Sequence, residues 1–141
     1  MTTPSRRTCV HEAGHAVMAL LLGAKIESVS VVPREGSRGR TIADAPTTFG
    51  DCMIAAAGSV AECIEFEYDD NARDEDRGLV HHLTGGIPYE EYQCAARWML
   101  SMHWTAVQRV ADALLSWYVM SGHDLRVCVG ELRPNMFERM K

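Results

Sequence analysis

The sequence lacks a long hydrophobic run. Its most continuous apolar segment, residues 16–22, is far shorter than the roughly 20 residues that a helix needs to cross a bilayer. The chain begins with positive charge, as secretory signals do. However, His11, Glu12 and His15 interrupt the apolar stretch that follows this charged start, which argues against a secretory signal. We therefore expect no membrane anchor in this chain and a cytoplasmic location.

Positive charge is not in excess either. The chain carries 14 Lys and Arg residues against 19 Asp and Glu residues, which gives a formal net charge of -5. Its arginines are scattered rather than clustered along one segment. Because proteins that bind nucleic acids present a basic patch to the phosphates, nucleic acid is not an expected partner.

The sequence has only five cysteines, which is an odd number, and no two of them lie close together in the sequence. This pattern favours reduced thiols over a disulfide framework and gives no cysteine-based zinc site. The five are Cys9, Cys52, Cys63, Cys94 and Cys128.

The sequence also contains no internal repeat, no low-complexity tract and no linker that would divide it. Its 141 residues, with 47% apolar and 23% charged side chains, have the length and composition of an ordinary globular domain. We therefore predict that residues 1–141 form a single domain.

Local signals in the first third of the chain predict a helix followed by two strands. Thr3 is the expected N-cap, Pro4 lies in the first turn, and Gly23 follows the end of the helix. The β-branched residues over 26–32 predict a strand, and residues 40–42 predict a second, shorter strand that pairs with it.

Helical spacing dominates the rest of the chain. It predicts a second helix from residues 46–48 to Ile64, a third over residues 74–83, and a long helical region over residues 88–120 that is one kinked helix or two. A last short helix is expected from Asp124. The predicted fold class is therefore mainly α (α+β), with a small β-sheet beside the first helix.

The segment His11-Glu12-Ala13-Gly14-His15 lies within the first predicted helix. Two histidines four residues apart lie about 40° apart around a helix axis, so both imidazoles can reach one metal ion. The intervening Glu12 is placed to accept a proton from a water molecule beside the metal. The competing interpretation is that these are hydrogen-bonded polar residues on an amphipathic helix. The motif favours a zinc hydrolase, because buried imidazoles and carboxylates need partners that a metal supplies.

A catalytic zinc takes three protein ligands, so a third ligand must come from elsewhere. The metzincin pattern is excluded, because Leu21 stands where its third histidine would be. Sequence spacing leaves several candidates open, namely Glu62, Glu65, Asp74, Asp76, His81 and His82.

Three motifs together resemble the peptidase domain of FtsH-type AAA zinc proteases. They are Cys9-Val10-His11-Glu12-Ala13-Gly14-His15-Ala16, Ala57-Gly58-Ser59-Val60-Ala61-Glu62 and Asp74-Glu75-Asp76-Arg77-Gly78. The resemblance implies a helical, zincin-like peptidase domain with zinc as the cofactor. It also implies that Asp74 is the third zinc ligand beside His11 and His15, and that Glu62 orients a ligating imidazole. The closing helices of that family match only weakly.

The nucleotide-binding motif Gly-x-x-x-x-Gly-Lys-Ser/Thr is absent from the sequence, so we expect an ATP-independent peptidase. The expected activity is hydrolysis of peptide bonds by a zinc-activated water, with Glu12 as the catalytic general base. The expected substrate is a peptide or an unfolded protein. A homo-oligomer or a separate ATPase partner is compatible with the sequence.

Two alternative functions remain open at this stage. One is a non-catalytic zinc-binding or protein-interaction module derived from a peptidase domain. The other is a different class of zinc peptidase, such as a small regulatory protease that cuts repressors, with Glu62 or Glu65 as the third ligand. For the peptidase, we expect a substrate to pair with the exposed edge of the strand near residues 29–32.

Overall fold

The computed structural model describes residues 3–34, 38–67 and 74–130, without the side chains of residues 74 and 75. Six helices and three strands lie in this part of the chain. In chain order they are α1 (Arg6–Leu21), β1 (Lys25–Ser30), β2 (Arg40–Asp44), α2 (Thr48–Phe66), α3 (Asp74–Thr84), α4 (Tyr89–Met102), α5 (Trp104–Trp117), β3 (Val119–Ser121) and α6 (Gly122–Val129). The structure is mainly helical with a small antiparallel sheet, which confirms the predicted fold class.

Helix α1 begins two residues later than the sequence predicts. Its N-cap is Ser5, whose hydroxyl accepts a hydrogen bond from the backbone N–H of Thr8 at 3.1 Å, so Thr3 and Pro4 precede the helix. The end is as predicted: Gly23 has a φ of 68°, and the N–H of the next residue, Ala24, donates to the Ala19 carbonyl at 2.9 Å. Glycine adopts this left-handed conformation without strain, and it turns the chain directly into β1.

The three strands form one sheet in the order β2-β1-β3, and both pairings are antiparallel. Val29 in the central strand is opposite Thr41 of β2 and opposite Met120 of β3. The expectation that a substrate pairs with the edge near residues 29–32 is therefore wrong for Val29 to Val31. Ser30 is paired on both sides, and the Val31 N–H donates to the Tyr118 carbonyl.

The predicted helical region over residues 88–120 contains two helices and a strand. His103, with a φ of -120°, separates α4 from α5, so the alternative of two helices is correct. Beyond α5 the prediction is wrong, because Tyr118 has a φ of 67° and redirects the chain into β3. The cause is tertiary: Met120 is fully buried against the sheet, and this packing outweighs local helical spacing.

The other helices lie close to their predicted positions. Thr47 caps α2 by accepting from the Gly50 N–H at 3.0 Å, and the helix extends to Phe66, two residues beyond the predicted end. The last helix begins at Gly122 rather than at Asp124, behind a capping box between Ser121 and Asp124. In the described part of the chain, no helix combines the length and the apolar character that a membrane span requires.

Helix α1 is the centre of the molecule. It packs against α2, α5 and both β1 and β2, and thirteen of its sixteen residues are buried. His11, Glu12 and His15 are among them, with relative exposures of 3%, 3% and 7%. Each of these buried ionisable side chains needs polar partners. Those partners and the three side chains together form the candidate site.

Candidate metal centre

The two histidines of α1 meet at their Nε2 atoms. His11 Nε2 and His15 Nε2 lie 3.0 Å apart, with the ring planes at 81° to each other. One ligand atom from each of His11, Glu12 and His15 falls within 4.8 Å of the other two. The structure thus brings together the three residues that the sequence motif singles out.

Helix α2 holds both rings through their other nitrogen atoms. His15 Nδ1 donates to the Ile54 carbonyl at 2.5 Å, and His11 Nδ1 donates to Glu62 Oε1 at 2.7 Å. Residues 54 and 62 are eight apart, which is two steps of four along one face of α2. The two hydrogen bonds therefore fix both ring orientations from a single helix face.

These hydrogen bonds also determine where the protons are. A backbone carbonyl only accepts hydrogen bonds, so His15 carries its proton on Nδ1. The Glu62 carboxylate also only accepts, so His11 likewise carries its proton on Nδ1. In the neutral rings both Nε2 atoms then present lone pairs to each other across 3.0 Å. A cation beside the two nitrogens would satisfy both lone pairs, and His11 and His15 are residues that would hold such an ion through Nε2. The donor set fits a metal ion.

Glu62 lies on the Nδ1 side of His11, away from the side where the two Nε2 atoms converge. Its second oxygen accepts from Arg7 Nε at 2.7 Å, and its side chain is only 5% exposed. A buried carboxylate that accepts from both an imidazole and a guanidinium orients the imidazole and strengthens its lone pair. This geometry favours an orienting role for Glu62 over the alternative in which it is itself a ligand.

Two glycines allow α1 and α2 to approach this closely. A Cβ atom on Gly14 would lie 2.6 Å from the Ala57 carbonyl oxygen. A Cβ atom on Gly58 would lie 2.5 Å from His15 Nε2 and 2.6 Å from His11 Nε2. Gly58 thus leaves open the space beside both Nε2 atoms, midway between the two residues that fix the rings.

A carboxylate of α3 approaches the histidine pair. Asp76 Oδ2 lies 3.7 Å from His11 Nε2. Asp74, the ligand implied by the FtsH-type motif, is the first residue of α3, but its side chain lies outside the described residues.

The α3 face that carries Asp76 has a sequence pattern that points to this residue. Asp76, Leu79 and Leu83 follow helical spacing and all line the same cleft. Asp76 is the first residue of this otherwise apolar helix face, so its carboxylate is directed toward the cleft rather than toward solvent. The exposed His81 and His82 lie on the other side of the helix.

Glu12 is covered by the segment that leads into β2. A Cβ atom on Gly39 would lie 2.7 Å from Glu12 Cγ and 3.1 Å from the Thr8 methyl group, so this position requires glycine for close approach. Glu12 itself faces a cleft of about 1040 Å³ between α1, β2, α2 and α3. The cleft reaches both histidines.

Cysteine contributes nothing to this site. The metal-ligand cluster in the described chain has no thiol, and none of the five cysteines takes part in a disulfide bond. Cys9 is the nearest in sequence to the histidines, and burial raises the pKa of its thiol. A raised pKa disfavours the thiolate that metals bind. Reduced cysteines and the lack of a cysteine zinc site stay predictions.

Comparison with known families gives one match over the first part of the chain. A family described as Peptidase M50B-like matches residues 6–66, which run from the start of α1 to the end of α2. No curated protein matches the chain at a significant level. The matching family is not the FtsH-type family, so this comparison does not support that finer assignment. The match, which includes His11, Glu12, His15 and Glu62, supports a metallopeptidase-family domain.

Proposed function

We propose that this protein is a zinc-dependent metallopeptidase that hydrolyses peptide bonds with Glu12 as its general base. One observation carries the proposal: two buried imidazoles, each held by an Nδ1 hydrogen bond to α2, direct their Nε2 lone pairs at one point beside Glu12. The match to a peptidase family over the same elements supports it.

Zinc is the proposed ion because of the donor set. Imidazole nitrogens together with one carboxylate are the ligands of catalytic zinc sites, which keep a further position open. When bound, zinc supplies Lewis acidity that lowers the pKa of water and polarises the peptide carbonyl. His11 and His15 would hold the ion.

Asp76 is our proposed third ligand, in place of Asp74. Its Oδ2 atom lies 3.7 Å from His11 Nε2, so this carboxylate could share an ion with the two rings. Asp74 stays a prediction of the FtsH-type resemblance. Asp76 is proposed because its side chain lines the same cleft as the two imidazoles.

The proposed role of Glu12 is to move one proton. The water oxygen forms a bond to the carbonyl carbon while Glu12 takes a proton from the water. The C–N bond then breaks, and Glu12 gives that proton to the departing amine. Burial of Glu12 under Gly39 keeps bulk water from competing for this proton.

The proposed substrate is an extended peptide or an unfolded protein that lies along β2. Among the described strands, β2 pairs only with β1, and its residues Arg40, Thr41, Ala43 and Asp44 line the cleft. An added strand would satisfy the backbone groups of this outer edge and run past the histidines. Strand β2 therefore replaces the edge near residues 29–32 as the proposed docking edge.

Within the metallopeptidases, the finer subclass remains a proposal. The motif around Asp74 supports an FtsH-type peptidase domain, whereas the family match over α1 to α2 supports the M50B-like group. The proposed chemistry is the same in both cases and uses no nucleotide. A cytoplasmic location is likewise proposed.

Removal of the metal tests the proposed function. We expect the zinc-loaded protein to cleave casein or a quenched-fluorescence peptide, and we expect a chelator to abolish this cleavage because water and carbonyl lose their Lewis acid. Added zinc should restore the rate. Cleavage that persists in chelator, or a zinc-loaded protein that cuts nothing, would contradict the proposal.

Substitution of the two α3 carboxylates tests the third ligand. Loss of an orienting partner costs zinc affinity 10–100-fold, so loss of a ligand in Asp76→Asn should exceed about 100-fold. We expect Asp74→Asn, two positions away on the same helix, to change affinity less than about threefold. Competition with a fluorescent zinc chelator gives both affinities. The reverse ranking would establish Asp74 as the ligand.

A further inference from the structure

The β2 wall of the cleft carries opposite charges at its two ends. Arg38 and Arg40 line the cleft where the strand begins, and Asp44 and Asp51 line it where the strand ends and α2 starts. Arg40 and Asp44 are four positions apart in the strand, which is about 13 Å. The cleft is therefore polarised along the proposed direction of the substrate.

The positive end lies against the catalytic region. Gly39 stands between the two arginines, and its backbone packs so tightly on Glu12 that a Cβ atom would come within 2.7 Å of Glu12 Cγ. The two arginines therefore flank the residue that covers Glu12. A substrate bond placed for attack beside Glu12 would have its neighbouring side chains within reach of these guanidinium groups.

Both guanidinium groups are available for a ligand. Arg6, Arg7 and Arg77 pair with carboxylates of the protein itself. In contrast, Arg38 and Arg40 form no ion pair within the described part of the chain, and both are exposed. Arginine also offers paired N–H donors that match the two oxygens of a carboxylate.

The opposite end would repel the same ligand. Asp51 Oδ1 accepts from the Ala45 N–H at 2.9 Å, which holds this carboxylate at the mouth of the cleft. Asp44, the last residue of β2, also lines the cleft. An acidic side chain is thus favoured at one position along the cleft and disfavoured at the other, so the selection depends on position.

We propose that Arg38 and Arg40 select peptides with an acidic side chain adjacent to the cleaved bond. This inference rests on the proposed peptidase function and names the substrate class for that site. Rim charges of this kind change affinity modestly, so we expect about a three- to tenfold preference for Asp over Asn at that position, with Lys disfavoured. The preference should weaken as salt screens the charges.

The test uses three peptides that differ at one position, occupied by Asp, Asn or Lys. We expect wild-type kcat/KM to rank Asp above Asn above Lys, and mass spectrometry to place the cut next to the Asp. The double variant Arg38→Glu/Arg40→Glu should reverse this ranking. Arg97→Glu/Arg126→Glu makes the same change in net charge at exposed sites outside the cleft lining, so it should preserve the ranking.

Binding separates this inference from the proposed function. The same peptides, labelled with a fluorophore, are titrated with Glu12→Gln protein and followed by anisotropy, and the same ranking is expected. Equal cleavage of all three peptides, or an unchanged ranking in the Arg38/Arg40 variant, would overturn the inference and leave the peptidase intact. A protein that cuts none of them would overturn the peptidase, and the binding ranking would still decide the charge preference.

Discussion

Glu12→Gln should abolish peptide cleavage and leave the zinc in place. Glutamine has almost the same size and fits the buried position, but it cannot take a proton from water. Loss of a general base lowers kcat by about 10²- to 10⁴-fold. His11, His15 and the α3 carboxylate remain, so zinc affinity should change little. Steady-state cleavage together with metal analysis of the purified variant measures both quantities.

A matched control is Glu27→Gln, which makes the same chemical change at an exposed position of β1. This variant should cleave at the wild-type rate. If Glu12→Gln instead loses its zinc, Glu12 is a ligand rather than a base. If it cleaves as fast as the wild type, the proton moves through another group and the proposed mechanism is wrong.

Gly58→Ala should reduce zinc affinity by at least about 100-fold, more than the loss of an orienting partner usually costs. The new methyl group would meet both Nε2 atoms at 2.5–2.6 Å, where no carbon can sit. Neither ring can swing aside, because both are buried and hydrogen-bonded to α2 through Nδ1. The helices must separate or the rings must turn, and either change moves the nitrogens apart.

Overpacking of this kind also costs about 1–3 kcal/mol of stability, so the variant must be shown to be folded by circular dichroism and thermal melting. Gly78→Ala is the control, since a Cβ atom there meets nothing within 4 Å and alanine favours a helix interior. It should bind zinc normally. Wild-type zinc affinity in folded Gly58→Ala would mean that the metal is not held by the two Nε2 atoms.

Local sequence signals predicted the first half of the candidate site. The spacing of His11 and His15 is a property of one helix, and helix geometry places them together whatever surrounds them. Strands β1 and β2 and helix α2 likewise followed from local residue patterns. The structure adds Ile54 and Gly58, which lie at four-residue steps from Glu62 along α2. The Ile54 carbonyl accepts a hydrogen bond from His15, and Gly58 leaves room for both rings. Their role depends on how α2 packs on α1.

Features that depend on distant contacts were harder to predict. Strand β3 has three residues, and it exists because Met120 is opposite Val29, about ninety positions earlier in the chain. The same pairing covers the edge of β1 near residues 29–32, where a substrate was predicted to bind. Asp74 and Asp76 have almost identical neighbours in the sequence, so sequence spacing does not choose between them. The packing of α3 across the cleft is what brings Asp76 near His11.

X-ray absorption at the zinc edge tests the central claim most directly, because it reports the atoms around the ion itself. The zinc-loaded protein should show two imidazole nitrogens at about 2.0–2.1 Å, oxygen ligands at about 2.0–2.2 Å, and no sulfur near about 2.3 Å. A sulfur shell, or a spectrum with fewer than two imidazoles, would contradict a catalytic zinc held by His11 and His15.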